Sequence, residues 1–112
     1  MADKVKITFV LPEMLQQDLK QQVVKDGYDL RGKSRWVAEA ITRLLEVTIF
    51  PEFVKMNDEM QGFGKFESVV VGRDLKKQLD EAIIHIRKQY PALEGVQSRI
   101  VRTAIVQRLL GY

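Results

Sequence analysis

Cysteine is absent from this 112-residue chain, histidine occurs once and proline three times. Without cysteine there are no disulfides and no thiolate metal ligands, in keeping with a reducing compartment. The single histidine, His85, lies in Ile83-Ile84-His85-Ile86 and offers almost nothing on which to build a metal cluster or a Ser-His pair. It reads as a partly buried structural residue. No uninterrupted apolar run approaches the ~20 residues of a membrane span, and Met1-Ala2-Asp3-Lys4 lacks the charged-then-apolar layout of an export signal. The expected location is cytoplasmic, with no membrane partner. Gly62-Phe63-Gly64 precedes a strand-like run and lacks the lysine of a nucleotide loop. Tyr90 and Tyr112 come with neither a metal cluster nor a base. The chain is therefore expected to have no catalytic residue, metal or cofactor, and is not expected to be an enzyme.

What is present is a repeat. Ser34-Arg35-Trp36-Val37-Ala38-Glu39-Ala40-Ile41-Thr42-Arg43-Leu44-Leu45 returns as Ser98-Arg99-Ile100-Val101-Arg102-Thr103-Ala104-Ile105-Val106-Gln107-Arg108-Leu109-Leu110, with one extra residue near the end. Upstream of each copy stands a strand-like run and then a helical pattern carrying Leu15 and Leu19, or Leu75 and Leu79. A unit this small cannot bury its apolar face alone, so the copies should pack on each other as an intramolecular pseudo-dimer. A hydrophobic fraction of 46% and a charged fraction of 29% suit one globular domain over 1–112. Its parts are a first unit at 1–48, a connector at 49–64 and a second unit at 65–112.

Charge follows the same division. The first unit holds 8 Lys or Arg against 7 Asp or Glu, the connector 1 against 3, and the second unit 9 against 5. The overall balance of +3 is a mild basic bias, compatible with nucleic acid.

Periodicity places the elements. Val5, Ile7, Phe9 and Leu11 alternate with Lys4, Lys6, Thr8 and Val10, the pattern of a half-buried strand. Pro12 ends the ladder and suits a helix start. Leu15, Leu19 and Val23 then recur at helical spacing as far as Gly27, and a second helix is expected from about Lys33 to Val47. In the connector, Phe53, Met56 and Met60 suggest a short helix within 51–61, ended by Gly62 and Gly64. The second strand covers Phe66 to Val71, with Val69 and Val71 inward. A helix from Arg73 to about Tyr90, one turn longer than its counterpart, and a final helix from about Val96 to Leu110 complete the chain. Trp36, Phe9, Leu44 and Leu109 read as core.

Strand, helix, turn, helix, with Ser-Arg near the start of the second helix and Ala-Ile then Leu-Leu within it, resembles the ribbon-helix-helix family of DNA-binding proteins. The resemblance covers both units. Its layout is similar to the tandem, single-chain members of conjugative DNA-processing complexes, the TraY type. It implies a mainly α fold with a small β-ribbon: a two-stranded antiparallel ribbon plus four main helices. The ribbon would enter the major groove of double-stranded DNA, where alternate side chains meet base edges. The matching outward positions are Lys4, Lys6, Thr8 and Val10 in the first strand and Phe66, Ser68 and Val70 in the second.

The resemblance also implies phosphate contacts at the start of the second helix of each unit, where open N–H groups and the helix dipole favour an anion. Those positions are Gly32, Lys33, Ser34 and Arg35, and Val96, Gln97, Ser98 and Arg99. Ser34 and Ser98 read equally well as helix caps or first-turn hydroxyls. Arg73 and Arg102 add nearby charge. The expected function is sequence-specific DNA binding, as a transcriptional repressor or an accessory factor in DNA transfer or plasmid processing, with side-by-side assembly on adjacent sites. The alternative is an adaptor that keeps the fold without base readout and binds protein components of a DNA-transfer complex. It draws on the apolar second strand and on Phe50, Phe53, Met56, Met60 and Phe63 of the connector.

Overall fold

The computed structural model describes residues 4–29, 31–56 and 64–111. Among them the chain is mainly helical, with one small antiparallel sheet. The order is β1 (Lys4–Pro12), α1 (Glu13–Lys25), α2 (Lys33–Glu46), α3 (Phe50–Met56), β2 (Gly64–Gly72), α4 (Arg73–Gln89) and α5 (Val96–Leu109).

The strict alternation of β1 has the expected consequence. Ile7, Phe9 and Leu11 are buried, whereas Lys4, Lys6 and Thr8 are exposed. In β2, Val69 and Val71 are buried and Phe66 and Val70 face out. The strands pair with Thr8 opposite Ser68 at the centre, so that Lys6 faces Val70 and Val10 faces Phe66. Side chains on one face of an antiparallel pair share this register, which puts the buried set on one side and the exposed set on the other.

Backbone chemistry sets the helix ends. Pro12, with φ −56°, closes β1 and stands immediately before α1, whose first turn carries Glu13. The end of α1 is a Schellman turn: Gly27, at φ 85°, donates to the Val24 carbonyl, and Tyr28 donates to that of Val23. Glycine takes this left-handed conformation without steric cost. Gly95 takes the same left-handed conformation, at φ 61°, immediately before α5. Helix α4 has 17 residues against 13 in α1, the expected extra turn.

The core lies between the inner ribbon face and the helices. Trp36, Val37, Ala40, Ile41 and Leu44 of α2 meet Ile100, Val101, Ala104 and Ile105 of α5, while α1 and α4 add Leu19, Val23, Leu79 and Ile86. Each large apolar side chain removed from water contributes roughly 1.5–3 kcal/mol, opposing the entropy of ordering the chain. Both repeats feed this single cluster. Pro51 and Val54 of α3 are buried within it, and Phe50 and Phe53 pack against it, so the short connector helix covers the core. Met56 is exposed; Met60, Gly62 and Phe63 lie outside the described residues, as does Tyr112.

Two expectations need correction. His85 is exposed, its ring centroid 6.2 Å from that of Phe50, because α4 turns only Leu79, Ala82 and Ile86 fully inward. Leu109 is partly buried against the core rather than within it. Among the described residues, no helix is long and apolar enough to cross a membrane.

Candidate nucleic-acid interface

The outward ribbon face is a row of cross-strand pairs: Lys4 with Gly72, Lys6 with Val70, Thr8 with Ser68, and Val10 with Phe66. All seven expected outward side chains therefore occupy one face. Lys4, Lys6, Thr8, Val70 and Phe66 are exposed, and Val10 and Ser68 are half-buried. Phe66 retains 80% of its surface and Val70 42%. This face offers ammonium donors, hydroxyls and methyl or aromatic carbon, a set that can address hydrogen-bonding edges and apolar groups together.

A two-stranded ribbon has two open edges, whose unpaired backbone groups must find partners or water. The starts of α2 and α5 supply those partners. Ser34 Oγ accepts a hydrogen bond from Val70 N–H at 3.0 Å on the β2 edge. On the β1 edge, Ser98 Oγ accepts from Val10 N–H at 3.1 Å. Gln97 Nε2 donates to the Thr8 carbonyl at 2.8 Å, and Arg102 Nη1 donates to that of Val10 at 3.4 Å. Lys33 Nζ forms a 2.8 Å salt bridge with Glu67 of β2. These residues rivet each helix start to one flank of the ribbon.

The two serines are thus not helix caps. Glycine precedes both helices, Gly32 before α2 and Gly95 before α5, and neither helix has a side-chain cap. The first turns of α2 and α5 also lack acidic residues, whereas α1 and α4 carry Glu13 and Asp74 there. The positive end of each helix dipole is consequently not neutralised by a carboxylate of its own first turn. Arg99 is directed back to its own loop, Nε donating to the Glu94 carbonyl at 2.8 Å.

Arg35 is held differently. Its guanidinium carbon lies 4.4 Å from the Tyr28 ring centroid and its Nε 3.8 Å from Glu39, yet the side chain stays 73% exposed. Tyr28 donates a short hydrogen bond to Glu39. From α5, Arg108 reaches the same cluster: Nη1 donates to the Trp36 carbonyl at 2.7 Å and Nη2 to the Tyr28 hydroxyl at 3.0 Å. The guanidinium carbon of Arg108 also lies 4.5 Å over the Trp36 ring. Behind it, Trp36 Nε1 donates to Asp26 at 2.7 Å. That bond, with a second from Gln22 and the positive charges of Arg108 and Arg43, holds the Asp26 carboxyl below its ordinary range against a smaller opposing desolvation. Sequence reasoning missed this network. Its one trace was Arg108, which falls where an ungapped alignment of the repeat has the buried Leu44.

Among the described residues there is no group of His, Cys, Asp or Glu placed to hold a metal ion. No protein-family model, curated protein or solved structure matches the chain.

Proposed function

We propose that this chain is a sequence-specific double-stranded DNA-binding protein, built as an intramolecular pseudo-dimer of two ribbon-helix-helix units. The observation that carries the reading is the ribbon itself. It is a two-stranded element with one face packed on the core and the other presenting Lys4, Lys6, Thr8 and Ser68. Such a ribbon fits the major groove, ≈12 Å wide in B-DNA. There, Lys6 donates to guanine O6 and N7, Thr8 and Ser68 take either hydrogen-bonding sense, and Val10 and Val70 offer methyl contacts to thymine.

Pseudo-dimer symmetry is supported by the register. The alignment of the repeats matches Thr8 with Ser68, and these residues face each other at the ribbon centre. The rivets correspond as well: Ser34 holds Val70, and Ser98 holds its repeat counterpart Val10. The helix starts flank the ribbon, where first-turn N–H groups suit phosphates on either side of the groove. Each serine hydroxyl accepts from the strand and keeps its proton to donate to a phosphate. Arg35 adds an exposed cation on one flank, while Lys33 neutralises Glu67, which would otherwise repel the backbone. Repression of transcription and service in DNA transfer or plasmid processing are the roles this mechanism fits.

A second reading, the non-enzymatic adaptor, draws on the exposure of Phe66 and Val70. Its other support weakens, since Phe50 and Phe53 pack on the core. Selection of the full chain against a random double-stranded DNA pool at two salt concentrations separates the readings. DNA binding returns an enriched motif and an affinity that falls steeply with salt, through release of counterions from neutralised phosphates. A folded protein that enriches nothing at either salt refutes the DNA reading and leaves the adaptor.

A further inference from the structure

The outer ribbon face is symmetric at Thr8, Ser68, Val10 and Val70 and asymmetric at its other positions. A two-fold axis through the Thr8·Ser68 pair exchanges Val10 with Val70, valine for valine, and Thr8 with Ser68, hydroxyl for hydroxyl. It exchanges Lys6 with Phe66. Further out it exchanges Lys4 with Gly64, so both cations lie at the same end of the face. One half of the face therefore ends in ammonium groups and the other in an aromatic ring that is 80% exposed.

Resting on the DNA-binding reading above, we infer that the target is a directional, non-palindromic site, with guanine under Lys6 and thymine under Phe66. The chemistry of the two ends is not interchangeable. An ammonium group is matched by the adjacent O6 and N7 acceptors of guanine, whereas an exposed ring gains from the thymine C5-methyl group, the apolar feature of the major-groove edge. A cation over a methyl group or a ring over two acceptors leaves hydrogen-bonding capacity unmet, and each mispairing disfavours the reversed orientation. Because both strands belong to one chain, the two ends cannot be exchanged by reassembly. A homodimer presents the same half-site twice; this ribbon presents two different ones.

The test is the DNA selection repeated with Phe66→Lys, which restores the symmetry of the inner pairs. The wild-type chain should return an asymmetric motif, guanine at one end and thymine at the other, and Phe66→Lys a motif that is palindromic at the positions under the inner pairs, with guanine in both halves. Replacing only the thymine selected under Phe66 by deoxyuridine removes a single methyl group. It should weaken wild-type binding about fourfold and leave Phe66→Ala indifferent. The exposed position of Phe66 keeps these variants folded, which urea unfolding verifies. A palindromic wild-type motif, an unchanged motif for Phe66→Lys, or equal affinity for thymine and deoxyuridine overturns the inference while DNA binding stands. Failure of the wild-type chain to enrich any motif removes the DNA-binding reading and the inference with it.

Discussion

Replacing Ser98 by alanine tests whether the starts of the paired helices are truly fastened to the ribbon edges. The substitution removes the acceptor of Val10 N–H, a 3.1 Å bond in a partly buried setting. An orphaned buried donor costs roughly 1–3 kcal/mol, and partial burial places this site near about 1. Ser34→Ala removes the corresponding bond to Val70 N–H, 3.0 Å long but exposed, where water can replace the hydroxyl. Its cost should stay near 0.5 kcal/mol, roughly the lower end for a net hydrogen bond. Alanine is also a better helix former than serine by up to about 0.5 kcal/mol, which offsets part of each loss.

That offset nearly cancels between the two variants, since both serines lie in the first turn of their helix. The firm expectation is therefore the order: Ser98→Ala less stable than Ser34→Ala by about 0.5 kcal/mol. Urea unfolding followed by circular dichroism reads this as a shift in midpoint at unchanged slope. The double variant should show near-additive losses, because the serines serve opposite edges and share no partner. A Ser98→Ala chain as stable as wild type would refute edge fastening as a contribution to the fold, and equal losses in the two variants would refute its dependence on burial.

Lys6→Ala combined with Thr8→Ala should erase the guanine half of the motif and keep the thymine under Phe66, without moving the urea midpoint, since both side chains face away from the core; retention of the guanine half in a repeat selection argues against base readout by β1. Truncating Arg35 to alanine should weaken all DNA sequences about equally and reduce the salt slope by about 1, measured by fluorescence anisotropy across a salt series. Asp26 is held below its ordinary carboxyl range, so its contribution to stability is complete above the unfolded-state value and is lost as pH falls through the lower folded-state value. Fluorescence of Trp36, the single tryptophan and the donor to Asp26, should report a transition below the usual carboxylate range that Asp26→Asn abolishes; a midpoint at or above that range contradicts the assignment. Gly32→Ala should destabilise the turn between α1 and α2, because the added carbon would lie 2.5 Å from Tyr28 Cβ; a thermal midpoint equal to wild type would show that the turn yields freely.

Period-two alternation over residues 4–11 identified the inner and outer faces of β1, and the repeat carried the same assignment to Val69 and Val71. Helix starts at Lys33, Arg73 and Val96 were legible from apolar spacing and the Pro and Gly punctuation around it. These features depend on neighbours a few residues apart, which sequence places directly. The candidate outer row needed only that alternation and the register implied by the duplication.

Sequence by itself therefore determined the elements, their buried faces and the seven residues of the outer ribbon row. Tertiary structure alone decided what the helix starts do. Ser34 and Ser98 find their partners 36 and 88 residues away, and Lys33 finds Glu67 across the connector. No local pattern announces such contacts, because the open edge of a ribbon is a property of two paired strands and not of either one. The same holds for Arg108, which only chain packing brings against Trp36 and Tyr28, and for His85, whose exposure depends on which turns of α4 the core leaves uncovered. Periodicity reports the faces of a single element; the backbone groups and charges that must be satisfied between elements emerge only when the chain closes on itself.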